Sequence, residues 1–142
     1  MFEHVLLKES IVVKGYMPHA DSVRQLFQSD ALLMIVDDFP GNEEIVPGKV
    51  YEYIGAGKPI IALAPEGAVA EVIRETGSGR ICRSDDVKAV ADIIALYYAH
   101  WIDGTIGLEQ DRTMVRQFER REVTRRLAAL LDDVTDKTKD TL

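Results

Sequence analysis

Short apolar runs, separated by longer amphipathic stretches, make up most of this chain. Four runs have the length of a strand, at residues 11–13, 31–36, 59–63 and 79–82. The run at 31–36 reads ALLMIV and is apolar at every position, which predicts a strand buried on both faces, as in a parallel sheet. The run at 11–13 is β-branched and ends before Gly15, which predicts another buried strand.

Between the runs, apolar residues recur at helical spacing and helix-ending signals follow them. Asp21 or Ser22 can cap a first helix, and Pro47 suits the first position of a second helix that ends near Gly57. The remaining predicted helices cover residues 68–76, a stretch starting after residue 85 or 86, and residues 111–133, which we expect to be helical in one or two segments.

Alternation of strands and helices predicts an α/β fold, an open, doubly wound parallel sheet with helices on both faces, because parallel neighbours need a crossover and helices supply it. Only four strands are evident, and residues 1–10 are too short to hold another strand and helix. We predict one Rossmann-like domain over residues 1–133. Residues 134–142 are rich in Thr, Asp and Lys and are predicted to form a disordered tail.

The composition of the chain limits the classes of partner that it can bind. The chain has 142 residues, 46% of them hydrophobic, and a net charge of −7, with 24 acidic against 17 basic side chains. An acidic chain is a poor match for a nucleic-acid backbone. The one basic cluster is interpreted as a solvated helix face paired with Glu119 and Glu122; it comprises Arg116, Arg120, Arg121, Arg125 and Arg126.

The cysteine content and hydropathy of the chain indicate its cellular compartment and whether it can form disulfides. Cys82 is the only cysteine, so an intramolecular disulfide is impossible, and its apolar surroundings predict a small core residue. No stretch approaches the ~20 apolar residues of a membrane span, and no signal peptide is evident. The sequence therefore predicts a cytoplasmic protein.

The candidate site lies where the strand at 31–36 ends and the helix after Pro47 begins. In open α/β sheets, ligands bind beyond the carboxyl ends of the strands. A helix N-terminus there offers unpaired N–H groups and partial positive charge to a phosphate. Gly48 allows close approach to the backbone, Lys49 adds a cation, and Glu44 and Glu52 can accept hydrogen bonds from sugar hydroxyls.

Residues 15–101 resemble the C-terminal domain of retaining GT-B-fold glycosyltransferases of the group 1, family 4-like kind. The resemblance rests on GYMPHAD at 15–21, SDALLMIV at 29–36, VPGKVYEYIGAGKPIIAL at 46–63 and AEVIRETGSGRI at 70–81. Glu44 and Glu52 have the spacing of that family's Glu-x7-Glu pair. FERREVTRRLAALL at 118–131 also resembles the terminal helices of one branch.

The resemblance implies a nucleoside-diphosphate sugar as substrate, with no cofactor, no required metal and no catalytic residue that we assign. It implies that Glu52 holds the ribose hydroxyls and that Glu44 contacts the transferred sugar, with Glu43 as the alternative if the loop shifts by one. The expected contacts to the diphosphate are the backbone of Gly48, Lys49 and Val50, and those near the base are Tyr16 and Met17.

The chain also departs from the family pattern. The N-terminal acceptor domain is absent, and so is the first strand of the C-terminal domain with its basic residues. We therefore expect a truncated donor-binding half that needs a missing N-terminal acceptor domain, a partner chain or a homodimer, and that is inactive alone. The resemblance further implies polysaccharide or glycoconjugate synthesis and peripheral membrane association of the full enzyme.

Two other functions stay open. The domain can be a non-catalytic module for nucleotide-sugar binding or assembly, since fold does not decide function. It can also be a receiver-like signalling domain with Asp37 and Asp38 as its acidic centre, although no lysine occurs between Pro59 and Arg83 to complete such a site. His19, in a turn beside the predicted cleft, can touch a ligand or serve as a surface or capping residue.

Overall fold

The computed structural model describes residues 10–107 and 109–139, with side chains described through residue 136. Three strands and six helices follow one another within these residues. The strands are β1 (Leu32–Ile35), β2 (Ile60–Leu63) and β3 (Gly79–Cys82). The helices are α1 (His19–Gln28), α2 (Gly48–Ala56), α3 (Ala68–Glu75), α4 (Val87–Ile102), α5 (Arg112–Arg116) and α6 (Arg120–Lys139).

The three strands form one parallel sheet in the order β1-β2-β3. Leu32 pairs with Ile60, and Ile60 pairs with Gly79, so all three strands begin at the same level and end at the same edge. Helix α2 connects β1 to β2, and α3 connects β2 to β3. The predicted α/β fold, an open parallel sheet flanked by helices, is confirmed.

The hydrophobic core lies between the sheet and helices α2 and α3. Its buried members come mainly from β1, β2, α2 and α3; they include Leu32, Met34, Val50, Ile54, Ile60, Ala62, Val69 and Ile73. On the opposite face, Ile61 and α4 line a common groove. Helix α4 packs over β2 and β3.

The prediction that β1 is buried on both faces is wrong. Leu32 and Met34 are buried, but Leu33 is 54% exposed and Ile35 is 65% exposed. The cause is the position of α4, which packs over β2 and β3 and leaves the outer face of β1 open to solvent. Apolar residues on both faces of a strand allow both faces to be buried. Whether a face is buried depends on the elements that pack against it.

The predicted strand at residues 11–13 is also wrong. This segment has no regular structure, and Val12 and Val13 are more than 70% exposed. Three β-branched residues favour extended backbone, but they form a strand only when an edge pairs with them. Within the described residues the sheet therefore has three strands where the sequence predicts four.

Several helix boundaries follow the predicted signals, but the start of the first helix does not: α1 begins at His19 directly after Pro18, so Asp21 and Ser22 lie within the helix and do not cap it. Helix α2 begins at Gly48 directly after Pro47 and ends at Gly57, whose φ of 68° is the left-handed conformation that glycine adopts most readily. The helical region after residue 111 divides into α5 and α6, one of the two predicted forms. Helix α6 continues to Lys139, past the residue at which we place the tail. The division into a domain and a disordered tail stays a prediction.

A helix must be both long and apolar to span a membrane. Among the helices of the described residues, none is long and apolar enough to cross a bilayer.

Tyr97 connects α4 to the sheet by a hydrogen bond, and its buried hydroxyl makes the stability of the fold decrease at alkaline pH. Its side chain is buried, its hydroxyl donates to the Ile60 carbonyl at 3.3 Å, and burial raises the pKa of Tyr97 to about 12. The unfolded chain releases this proton near pH 10. The folded state therefore keeps the proton longer, and the stability contribution is lost as pH rises from 10 to 12.

We expect the wild type to lose about 1.4 kcal/mol more unfolding free energy than Tyr97→Phe between pH 8 and pH 11. Urea denaturation of both proteins at the two pH values measures this difference. Equal losses in the two proteins would show that Tyr97 does not carry the alkaline sensitivity. Comparing differences, and not single values, removes the contributions of the other tyrosines and lysines.

Candidate functional site

A tightly hydrogen-bonded loop follows β1 at the carboxyl edge of the sheet. The side chain of Asn42 is buried and donates to the Asp37 carbonyl, while the Asn42 N–H donates to the Phe39 carbonyl at 3.0 Å. The Ile45 N–H then donates to the Asn42 carbonyl at 3.1 Å. These bonds hold the loop in one conformation up to the residues that precede α2.

The same loop is docked on the beginning of α3. The Glu43 carbonyl accepts from the Ala68 N–H at 2.7 Å. Gly67 has a φ of 150°, and a Cβ added there would lie 2.3 Å from the Glu43 oxygen, so only glycine permits this approach. Docking leaves the crevice between the ends of β1 and β2 too narrow for a water-sized molecule to enter fully. The crevice itself is therefore too narrow for a nucleotide, whereas the surface beside α2 is open.

Glu43 and Glu44 have different surroundings in this loop. The Glu43 carboxylate accepts from the Gly41 N–H at 2.8 Å, which engages it within the turn. Glu44 is exposed, and among the described residues no side-chain hydrogen bond or ion pair involves it. Of the two carboxylates, Glu44 is the one that has no partner to give up before it contacts a ligand.

The beginning of α2 has open amide groups. Pro47 precedes the helix, and no side chain caps it. The Val50 N–H donates to the Pro47 carbonyl at 3.0 Å, and the Val50 side chain is fully buried in the core. Within residues 10–107 and 109–139, the N–H groups of Gly48 and Lys49 have no acceptor. Two exposed donors therefore stand at the positive end of the helix.

Helix α1 lies beside α2 and brings a second predicted segment to the site. His19, the first residue of α1, places Nε2 at 3.8 Å from Oε1 of Glu52, whose side chain is 45% exposed. Tyr16 and Met17 come shortly before His19 in the chain; Tyr16 is fully exposed and Met17 is partly buried. His19 thus contacts the carboxylate that we predict to bind ribose.

The cation of Lys49 stays near the helix that carries it. Its Nζ lies 5.2 Å from the centre of the Tyr53 ring, one turn further along α2. Tyr53 is buried, and it supplies an aromatic face that attracts a cation. Lys49 is therefore positioned beside the first turn of α2.

The structure adds an ion-pair cluster that we did not predict. Arg83 places its guanidinium at 3.1 Å from the Asp38 carboxylate and at 3.2 Å from that of Asp85, across the carboxyl edge of the sheet. The signal for it in the sequence was that Arg83 directly follows a predicted strand. Two carboxylates on one guanidinium leave the cluster with net negative charge, so Arg83 is poorly placed to hold a phosphate.

Neither Cys82 nor the acidic residues of this edge form a reactive centre. Burial, together with the charge of Asp86, raises the pKa of the Cys82 thiol, which keeps it protonated at neutral pH. Asp38, half of the acidic pair of the receiver-like hypothesis, is neutralised by Arg83. In the part of the chain that the structure describes, no three His, Cys, Asp or Glu residues are grouped to hold a metal ion.

The chain is thus an open α/β domain with uncapped helix amides at the carboxyl edge of its parallel sheet, the edge at which ligands of such folds bind. Residues 1–114 match the family model described as Glycosyl transferases group 1, and the chain belongs to this family. Membership implies transfer of a sugar from a nucleotide sugar. The resemblance of residues 118–131 to terminal helices lies beyond the match and stays a prediction. Comparison with curated proteins and with solved structures gives no match.

Proposed function

We propose that this chain is the donor-binding half of a glycosyltransferase that acts in polysaccharide or glycoconjugate synthesis. It binds a nucleoside-diphosphate sugar and presents it to an acceptor held by another domain or chain. The observation that carries the proposal is the pair of open N–H groups at Gly48 and Lys49, on the same helix as the accessible carboxylate of Glu52.

The diphosphate binds at the first turn of α2. The amides of Gly48 and Lys49 donate to its oxygens, and the helix dipole favours its negative charge. The Val50 N–H already bonds to Pro47, so Val50 contributes by anchoring the turn in the core. Lys49 supplies the nearby cation. The same interactions stabilise the diphosphate when it leaves the transferred sugar. A bound metal is not required for this stabilisation.

The rest of the donor extends to either side of this turn. Glu52 accepts hydrogen bonds from the ribose hydroxyls, and Glu44, at the end of the loop, accepts from the transferred sugar. Tyr16 and Met17 lie along the segment that leads into α1 and contact the base. Tyr16 is fully exposed without ligand, so its ring is available for stacking.

Affinity for the donor is weak in the chain alone. The carboxyl edge carries more carboxylates than cations, because Arg83 is shared by Asp38 and Asp85, and Lys49 is the one Lys or Arg within residues 37–52, which include Glu43, Glu44 and Glu52. Repulsion from these carboxylates opposes a diphosphate. We therefore expect binding in the millimolar range and no sugar transfer without an acceptor domain or partner chain.

Glu52→Ala is expected to weaken binding of the preferred donor, UDP- or GDP-linked, at least about tenfold, because a charged hydrogen-bond acceptor is lost. Titration calorimetry or ligand-observed NMR with UDP-glucose and GDP-mannose measures the change. Glu75→Ala removes another exposed carboxylate, at the end of α3, and should leave affinity unchanged.

His19→Ala separates a direct role of Glu52 from a role in holding α1. If Glu52 binds ribose itself, His19→Ala should retain most of the affinity that Glu52→Ala loses. Equal affinity in the wild type and in Glu52→Ala would contradict the ribose assignment. Sugar transfer by the wild-type chain alone would contradict the need for an acceptor domain.

A further inference from the structure

Helix α6 is long, and most of its length is exposed in the described part of the molecule. It spans Arg120–Lys139, and every side chain from Val123 to Asp136 is exposed. Five large apolar side chains on it are each about half exposed: Val123, Leu127, Leu130, Leu131 and Val134. Exposed apolar area of this kind on a helix favours a partner, because isolated helices of this length are only marginally stable in water.

The spacing of these residues defines the kind of partner. Val123, Leu127, Leu130 and Val134 are separated by four, three and four residues, and Leu131 lies beside them. This is the alternation of a coiled-coil seam, in which one helix packs its apolar stripe against that of another. The stripe therefore fits a second helix with the same spacing.

The charges of α6 are divided between its two halves. Residues 120–126 carry four arginines and one glutamate, whereas residues 132–136 carry three aspartates, which are followed by Lys137 and Lys139 at the end of the helix. Two copies of the helix side by side in parallel would place arginines against arginines. Two copies in antiparallel orientation place the arginine-rich segment 120–126 of each near the aspartates at 132–136 of the other, which is favourable for both.

We propose that α6 binds α6 of a second copy of this chain in an antiparallel pair. In this pair Leu127 packs against the partner's Leu130, and Val123 packs against the partner's Val134. Both contacts are centred on the same point of the helix, between residues 128 and 129. One twofold axis through this point therefore generates both contacts and their symmetric counterparts. A self-complementary surface of this kind closes as a dimer and does not extend into a fibre.

Two symmetric ion pairs flank the apolar seam. Arg126 and Asp133 are seven residues apart and lie on the same side of the stripe. In the antiparallel pair Arg126 lies beside the partner's Asp133. One guanidinium nitrogen of Arg126 donates to the Gln117 carbonyl at 2.5 Å, and its other N–H groups stay available for the carboxylate.

Analytical ultracentrifugation of the 142-residue chain tests the apolar seam. Because a single helix pair is a small interface, we expect a reversible dimer with a dissociation constant in the micromolar range. Leu127→Asp should weaken dimerisation at least about tenfold. A chain that stays monomeric to about 1 mM, or a dimer that Leu127→Asp leaves intact, would overturn the proposal.

Charge exchange tests orientation and pairing. Arg126→Asp and Asp133→Arg should each weaken self-association, while a mixture of the two variants should form a heterodimer as strong as the wild-type dimer. Arg121→Asp makes the same charge change on the opposite side of α6 and should leave dimerisation unchanged. Failure of the mixture to associate, with both variants folded by circular dichroism, would exclude the Arg126–Asp133 contact and the proposal with it. None of these variants touches the nucleotide-sugar site.

Discussion

Substituting Gly79 with alanine is expected to lower the free energy of unfolding by about 3 kcal/mol or more. A Cβ at this position would lie 2.1 Å from the Ile60 carbonyl oxygen and 2.8 Å from the Ile60 Cβ. Ile60 is fully buried in the central strand and pairs with Gly79, so neither atom can move away without separating β2 from β3. Because a domain of this size is marginally stable, such a loss removes a large fraction of its stability.

Urea denaturation followed by circular dichroism measures this loss. Gly55→Ala is the matched control, because the same methyl group added there meets no atom within 4 Å and replaces a helical glycine. We expect Gly55→Ala to be neutral or to stabilise by up to about 1 kcal/mol. If Gly79→Ala were as stable as the control, the close packing of β2 against β3 at this point would be wrong.

The elements that the sequence predicts well are those defined by local signals. The strand at Gly79–Cys82 is found at its predicted bounds, and α2 lies between its predicted proline and glycine. Both depend on backbone preferences of a few neighbouring residues. The errors concern partners. The apolar run at 31–36 does not show which of its faces α4 covers, and residues 11–13 do not show whether a strand edge is available to them.

The candidate site divides in the same way. The sequence points to the beginning of α2 because Pro47 suits the start of a helix and is followed by Gly48 and Lys49. It could not show that Gly67 allows the Glu43 carbonyl to reach Ala68, or that Arg83 crosses the sheet edge to Asp38, since both contacts join residues more than twenty positions apart. These contacts close the crevice and place the proposed ligand on the outside of α2.

Helix α2 therefore combines a structural side with a proposed binding end. Val50 and Ile54 are buried in the core and fix the orientation of the helix, while Gly48 and Lys49 are exposed at its beginning. A Cβ added at Gly48 meets no atom within 4 Å, so the fold itself does not require glycine there. If a diphosphate approaches the amides of this turn, however, a branched side chain at position 48 occupies part of the space that the phosphate needs.

Gly48→Val is accordingly expected to reduce donor affinity about thirtyfold or more while changing the free energy of unfolding by less than about 0.5 kcal/mol. Gly55→Val, on the same helix but more than a turn away, is the matched control and should leave affinity unchanged, with a change in the free energy of unfolding of at most about 1 kcal/mol. Calorimetric titration with the nucleotide sugar and urea denaturation of all three proteins give both quantities. Unchanged affinity in a folded Gly48→Val would mean that no phosphate binds at this turn. If Gly48→Val loses both affinity and stability, the valine disturbs the helix itself. In that case Gly48→Ala, whose smaller side chain leaves the turn intact, should have the stability and the donor affinity of the wild type.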